Sequence, residues 1–141
     1  MIAVDVVKSN SAINIALEQM WLDQCHSTAS GKVLLSALTD EEYEDFISST
    51  PLNKLTEHTV CDPLILKKEL EQIRRDGYSV VRDESVFGVS SIGVPVCGRN
   101  WHPVAALGIA FSSYFLNDQY LQRQLTLLNK YRRKLEKKLL S

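Results

Sequence analysis

Short apolar runs, several of them rich in β-branched residues, recur along the chain between polar turns. Runs of this kind are typical of strands, because β-branched side chains pack well on a pleated surface. The pattern predicts strands at residues 2–7, 12–20, 78–81, 89–97 and 104–111. A strand that begins at residue 2 needs a neighbour to pair with, so we expect this chain to be a fragment of a longer polypeptide.

Four helices are predicted from their start and stop signals. Each follows a residue whose side chain can accept a hydrogen bond from a free backbone amide. The clearest start has Thr39 and Glu42 at capping-box spacing. The third helix ends at Gly77, where a positive φ costs little. The predicted helices cover residues 28–38, 40–49, 63–76 and a last segment that begins after residue 117; their N-caps are Ser27 or Thr28, Thr39, Asp62 and Asn117.

The order of these elements is roughly ββαααββ(β)α, which predicts an α+β fold with an antiparallel sheet and helices packed on its faces. A chain of 141 residues fits one domain over residues 1–141. A chain of this length buries roughly 68% of its unfolded surface and needs no stabilising cross-links. No apolar run is long enough for a membrane span, and the N-terminus is not a signal peptide. Three widely spaced cysteines favour a cytoplasmic location.

Charge is distributed unevenly along the chain. Residues 117–141 carry a net charge of +5, and the other 116 residues carry −6, so the body of the domain gives no support for nucleic-acid binding. In the last helix, an apolar stripe is expected to dock on the sheet or on a second subunit. It consists of Leu121, Leu125, Leu128, Tyr131, Leu135 and Leu139. The opposite face is basic, with Lys130, Arg133, Lys134, Lys137 and Lys138. That face is either a solvated surface or a site for a DNA backbone or an acidic partner.

Several catalytic and metal motifs are excluded by their spacing. Ser30-Gly31-Lys32 does not form a phosphate-binding loop, because the required upstream glycine is replaced by His26 and a hydroxyl residue does not follow the lysine. The cysteines and histidines do not have zinc-ligand spacing. They are expected to be ordinary buried or half-buried side chains, although a Cys/His pair that meets in space stays an alternative. We expect no cofactor and no metal.

The segment 77–96 contains the most informative pattern. Asp83 and Glu84 form an acidic corner between two apolar strands, and Ser90 and Ser91 interrupt the second strand. Adjacent strand residues point to opposite faces, so only one serine can line a given pocket. The serines fit either a ligand-pocket wall or a half-exposed strand. The two acids fit hydrogen-bond acceptors or, as an alternative, a general acid/base pair.

The start of the first predicted helix is similarly open to two interpretations. Residues 28–31 have small side chains, so a ligand could approach the free backbone amides, which favour anions. Tight packing of the helix on the sheet would require the same small residues.

Four motifs in order resemble the C-terminal effector-binding domain of IclR-type bacterial transcriptional regulators. The first, His26-Ser-Thr-Ala-Ser-Gly-Lys-Val-Leu-Leu-Ser36, is similar to the family pattern His-x-Thr-Ala-x-Gly-Lys-x-x-Leu-Ala. The second is Leu55-Thr-Glu-His-Thr59 followed by a helix that starts after Asp62. The third lies in residues 77–96, and the fourth is residues 104–107. The resemblance covers about residues 2–140.

This resemblance implies a GAF-like or profilin-like fold and a pocket for a small carboxylate effector. It also implies a homodimer or homotetramer, no membrane association, and DNA contact only through an N-terminal winged helix-turn-helix domain that is absent from this chain. The first helix and strand of the effector domain are also expected to be missing. The implied function is effector sensing in transcriptional control, and not enzymatic catalysis.

By position, the resemblance places the ligand contacts at eight residues: Ala29, Ser30, Gly31, Val81, Asp83, Ser91, Gly108 and Ala110. Ser91 stands where many members have Cys, and Gly108 and Ala110 stand where many have hydroxyl side chains. The loss of two hydroxyls predicts an effector that is bulkier or less polar than a two- or three-carbon keto acid. Two alternatives stay open: an interaction module with a vestigial pocket, and a small enzyme that uses Asp83 and Glu84.

Overall fold

A computed structural model of the protein describes residues 22–141, so the strands predicted at residues 2–7 and 12–20 lie outside the described residues. A 3₁₀ turn, Leu22–Ser27, precedes the first α-helix. The main elements are α1 (Ala29–Leu35), α2 (Asp40–Ser49), α3 (Pro63–Asp76), β1 (Ser79–Arg82), β2 (Val89–Cys97), β3 (Pro103–Ser112) and α4 (Asp118–Leu140). The predicted α+β class is confirmed.

The predicted N-caps Thr28, Thr39, Asp62 and Asn117 all accept a hydrogen bond from a backbone amide of their helix. Thr39 and Glu42 complete a capping box, in which each side chain accepts a hydrogen bond from the other residue's backbone amide. Helix α1, however, ends at Leu35 and not near residue 38. The Ser36 hydroxyl donates to the Val33 carbonyl at 2.6 Å, and Arg74 Nε donates to the Ser36 carbonyl at 2.6 Å. These bonds satisfy carbonyl groups at the helix end and turn the chain toward α2.

The three strands form an antiparallel sheet in the order β1-β2-β3. Its register aligns Val81, Ser91 and Ala110 in one row across the sheet. Gly93 and Gly108 pair in the next row. Because side chains alternate along a strand, these residues share one face of the sheet and their neighbours face the other way.

Each face of the sheet packs against a different layer of helices. On one side, α4 covers a core formed by Ile92, Val94, Phe111, Leu125 and Leu128. On the other side lies α1, and α1 in turn packs against α3 through a second core; this core contains Val33, Leu35, Tyr43, Leu66, Leu70 and Ile73. No helix within residues 22–141 is both long and apolar enough to cross a membrane.

The apolar stripe of α4 docks on the sheet only along part of its length. Leu125 and Leu128 are buried, but Tyr131, Leu135 and Leu139 are 49%, 42% and 54% exposed. The prediction that the stripe docks on the sheet is therefore confirmed for the N-terminal half of the helix.

Gly93 sets the distance between α1 and the sheet. A Cβ atom added at this position would lie 3.0 Å from the Ala29 carbonyl carbon and 3.0 Å from the Ser30 nitrogen. Both are backbone atoms, so the whole helix would have to move.

Replacement of Gly93 by Ala is therefore expected to destabilise the domain by roughly 1–3 kcal/mol, because overpacking forces a backbone shift. Urea denaturation measures this effect. Gly98→Ala is the matched control: its Cβ would meet only the side chain of Val104, at 3.1 Å. Equal losses of stability in the two variants would contradict the assigned contact.

Candidate functional site

The N-terminus of α1 lies against the sheet at Ser91. The Ala29 backbone amide donates a hydrogen bond to Ser91 Oγ at 3.2 Å, and the Ala29 side chain is fully buried. The Gly31 amide donates to Thr28 Oγ1 at 3.1 Å. The backbone amides of Ala29 and Gly31, two of the predicted ligand residues, are thus already hydrogen-bonded within the protein.

Six of the eight predicted ligand residues come together at this place. Val81, Ser91 and Ala110 form the row beneath α1. Gly108 lies next to Ser30 and the two are so close that a Cβ at residue 108 would collide with Ser30 Oγ. The predicted residues that meet here are Ala29, Ser30, Val81, Ser91, Gly108 and Ala110.

Gly31 faces away from this surface. A Cβ at residue 31 would collide with backbone atoms of Cys25 and with Thr28 Oγ1. Gly31 therefore permits close packing of α1 on the preceding 3₁₀ turn. This contact is with the 3₁₀ turn, whereas the packing alternative was stated for the sheet.

The second serine of β2 lies in a different network. Ser90 Oγ is 2.8 Å from Ser113 Oγ, and the Ser113 hydroxyl donates to Asp83 Oδ1 at 2.5 Å. Strand alternation places Ser90 on the sheet face opposite Ser91. The network is fully buried at Ser90, which is 1% exposed.

Asp83 joins this second network through its carboxylate. Its Oδ1 also accepts a hydrogen bond from the Gly88 amide at 2.9 Å. The hydrogen bond from Ser113 holds the pKa of Asp83 below its usual value. Asp83 has φ 57°, a left-handed conformation that Asp tolerates better than most residues. The carboxylate thus ties the β1–β2 connection to the end of β3, on the side of Ser90 rather than Ser91.

Glu84 and Lys32 form a buried ion pair that the sequence did not reveal. Lys32 Nζ donates to Glu84 Oε2 at 2.8 Å and to Glu69 Oε2 at 2.5 Å, and Lys32 is only 2% exposed. Burial raises the pKa of Glu84, while the charge of Lys32 opposes this rise. The Val60 amide donates to Glu84 Oε1 at 3.3 Å. Lys32 thus links α1 to α3 through Glu69 and to the acidic corner through Glu84.

Two cavities lie away from the Ser91 row. One, of about 440 Å³, lies between α1 and α2 and is lined by Leu34, Leu38 and Phe46, among others. The other, of about 550 Å³, lies between residues 55–58 and 85–87. Of the predicted ligand residues, only Gly31 lines either of them.

The three cysteine side chains are buried or half-buried, as expected, whereas His58 is exposed. Cys25 is buried, and the buried His26 has its Nε2 atom 2.8 Å from the Asn53 carbonyl oxygen. Across residues 22–141, there is no cluster of three or more His, Cys, Asp or Glu side chains that could hold a metal ion.

The fold and the motifs agree with one protein family. Residues 1–137 match the model of the bacterial transcriptional regulator IclR C-terminal domain. The chain belongs to this family. It is 32% identical over 111 residues to the Pca operon regulatory protein of Acinetobacter baylyi. It is 31% identical over 110 residues to the regulator KdgR of Escherichia coli. These matches cover 78% of the chain but only 40% and 42% of those relatives, so the chain spans less than half their length.

Solved IclR-family structures share the fold. A PobR inducer-binding domain from Acinetobacter, a double mutant in complex with 3-hydroxybenzoic acid, has a TM-score of 0.74 and 33% identity. The match covers 79% of this chain and 65% of that domain. The C-terminal domain of E. coli KdgR has a TM-score of 0.77 and 30% identity, covering 82% and 70% of the two chains. The predicted family is therefore confirmed, and the relatives are transcriptional regulators.

Proposed function

We propose that this IclR domain binds a small carboxylate effector, and forms oligomers, in a DNA-binding transcriptional regulator. The observation that carries the proposal is the contact of α1 with the sheet at Ser91. There, one hydroxyl and one backbone amide lie beside the small or apolar side chains of Val81 and Ala110 and beside Gly108. A few placed polar groups in an apolar setting are typical of small-molecule sites.

In this proposal, the effector's carboxylate accepts hydrogen bonds from the hydroxyls of Ser91 and Ser30. Ser91 can donate its own proton while its oxygen still accepts from the Ala29 amide. Asp83 is left out of the proposed site, because the Gly88 amide and the Ser113 hydroxyl hold its carboxylate on the Ser90 side of the sheet.

Aromatic or sugar-derived acids fit this surface better than two- or three-carbon keto acids. Val81, Gly108 and Ala110 bring no hydroxyl or charge to the site, so the specificity for a compact polar ligand is low. The PobR domain in complex with 3-hydroxybenzoic acid supports an aromatic acid as the first candidate. Effector binding would shift the equilibrium between two arrangements of the subunits only if the effector binds one arrangement more tightly than the other.

Replacement of Ala110 by Leu is expected to fill the site and abolish effector binding. A panel of aromatic, sugar and keto acids is added to the 141-residue chain, and thermal unfolding is measured. A true effector at 100 times its Kd stabilises the wild type by about 2.7 kcal/mol. Ala110→Leu is expected to lose this shift. Ala105→Leu, an exposed position on the opposite face of β3, is expected to keep it.

Tight binding of glyoxylate or pyruvate, with no binding of any aromatic or sugar acid, would contradict the proposed effector class. Equal loss in both leucine variants would contradict the position of the site.

The second candidate is an interaction module with a vestigial pocket. It is favoured by the half-exposed stripe of α4, where Tyr131, Leu135 and Leu139 lack full cover within the described residues. This candidate predicts no shift with any acid and a stability that rises with protein concentration.

A further inference from the structure

The outer surface of α4 carries only positively charged side chains. Six cations are exposed on it: Arg123, Lys130, Arg133, Lys134, Lys137 and Lys138. At 100° per residue, four of them fall within an arc of roughly 60°, and Arg133 and Lys138 flank this arc. We call these six residues the basic face. It points away from the sheet, because Leu125 and Leu128 on the other side of the helix are buried.

The charges of the basic face are not neutralised by the part of the protein that is described. Within residues 22–141, none of the six cations forms an ion pair with a carboxylate. The only acids in residues 117–141 are Asp118 and Glu136. Glu136 is turned toward the sheet, where its Oε1 accepts from the Cys97 amide at 2.9 Å.

A solvated helix surface does not account for this pattern. Such surfaces usually mix both signs, since like charges at i, i+4 destabilise a helix by about 0.2–0.5 kcal/mol per pair. Here Lys130/Lys134, Arg133/Lys137 and Lys134/Lys138 are all repulsive pairs. The helix dipole favours cations only in the last turn, so it accounts for Lys137 and Lys138 but not for the four others.

We propose that the basic face binds the phosphate backbone of duplex DNA without sequence specificity. Arg123 and Lys138 are separated by roughly 22 Å along the helix axis. This is about the length of six or seven base pairs. Residues 1–116 carry a net charge of −6 and would be repelled by a polyanion. The domain would therefore turn α4, which is positively charged, toward it. DNA binding by α4 goes beyond effector binding and departs from the expectation that DNA is contacted only through an N-terminal domain; it uses the proposed regulator only for the choice of DNA as the polyanion.

An anionic membrane fits the helix less well. An amphipathic helix binds a bilayer by burying its apolar face in the lipid. In α4, Leu125 and Leu128 of that face are already packed against Ile92 and Val94 of β2.

The test measures binding of the 141-residue chain to a fluorescent 25-base-pair duplex of arbitrary sequence, by anisotropy between 50 and 200 mM KCl. One variant replaces Arg123, Lys130, Lys134 and Lys137 by Gln. The matched control replaces Lys54, Lys68, Arg75 and Arg99 by Gln; these are also exposed, and the net charge changes equally.

Wild type and control are expected to bind with a log–log salt slope of about −3.6, the value for four phosphate contacts. This slope corresponds to a loss of affinity of about a hundredfold over the salt range. The α4 variant is expected to lose most of the slope, with unchanged helicity by circular dichroism.

Equal weakening in both variants would overturn the proposal, because it would show an effect of net charge alone. Absence of salt-dependent DNA binding would also overturn it. So would α4-dependent binding to anionic vesicles or to polyglutamate without binding to DNA. None of these outcomes bears on effector binding, which is measured separately by the acid panel.

Discussion

Replacement of Lys32 by Met is expected to destabilise the domain by about 3–5 kcal/mol, because removal of one partner leaves a buried charge uncompensated. The charge is that of Glu84, whose two carboxylate oxygens lie 2.8 and 3.0 Å from Lys32 Nζ. The measurement is the free energy of unfolding from urea titrations. Lys67→Met is the control. Lys67 forms a surface pair with Asp40 at 3.3 Å, and surface pairs contribute only about 0–1 kcal/mol.

The loss in Lys32→Met is also expected to depend on pH. Burial raises the pKa of Glu84 in the folded protein, and without Lys32 its main opposing influence disappears. A carboxyl with a raised folded pKa favours folding below its unfolded pKa of about 4.3, and this advantage is lost as the pH rises through the folded pKa. The penalty should therefore be larger at pH 8 than at pH 5.

A double variant separates the ion pair from simple loss of packing. Lys32→Met with Glu84→Gln removes the orphaned charge, so it is expected to be more stable than Lys32→Met alone. A double variant that loses the sum of the two single effects would show that the pair is not coupled.

Replacement of Asp83 by Ala is expected to destabilise the domain by at least about 4 kcal/mol, the sum of the lower values for two hydrogen bonds and for a left-handed alanine. A hydrogen bond to a charged group contributes about 1.5–3 kcal/mol, and Asp83 accepts two, from Gly88 and Ser113. Alanine also has a cost of about 1–2 kcal/mol in the left-handed conformation found at φ 57°. Asp83→Asn retains an acceptor and tolerates this φ, so it should lose much less stability.

Urea denaturation of Asp83→Ala, Asp83→Asn and the surface control Glu44→Ala measures these differences. The hydrogen bond from Ser113 lowers the pKa of Asp83, so its carboxylate contributes stability above the unfolded pKa of about 3.9. This contribution is lost as the pH falls through the folded pKa. The difference in the free energy of unfolding between the wild type and Asp83→Asn should therefore disappear at acidic pH. An advantage that grows on acidification would contradict the assigned hydrogen bonds.

Local signals predicted the elements of this fold well. The capping box of Thr39 and Glu42 and the stop at Gly77 depend on neighbours within four residues, so the sequence contains all the information they need. At the end of α1, the Ser36 carbonyl accepts from Arg74, which is 38 residues away in the chain, and local pattern could not indicate this contact.

The candidate site was predictable only in part, for the same reason. Strand alternation alone separates Ser90 from Ser91, but which serine faces α1 follows from packing. Lys32 was considered in a failed phosphate-loop motif and in the family pattern, and neither indicated a buried ion pair. Its burial against Glu84 arises from a contact across 52 residues, which local sequence does not encode.

We propose above that the effector binds where α1 meets the sheet at Ser91. The most direct measurement is a ¹H–¹⁵N NMR titration of the 141-residue chain with 3-hydroxybenzoate. The amide signals of Ala29, Ser91 and Ala110 are expected to shift together, with one common Kd. Shifts confined to the residues around Phe46 or Phe87, which line the two cavities, would contradict the claim.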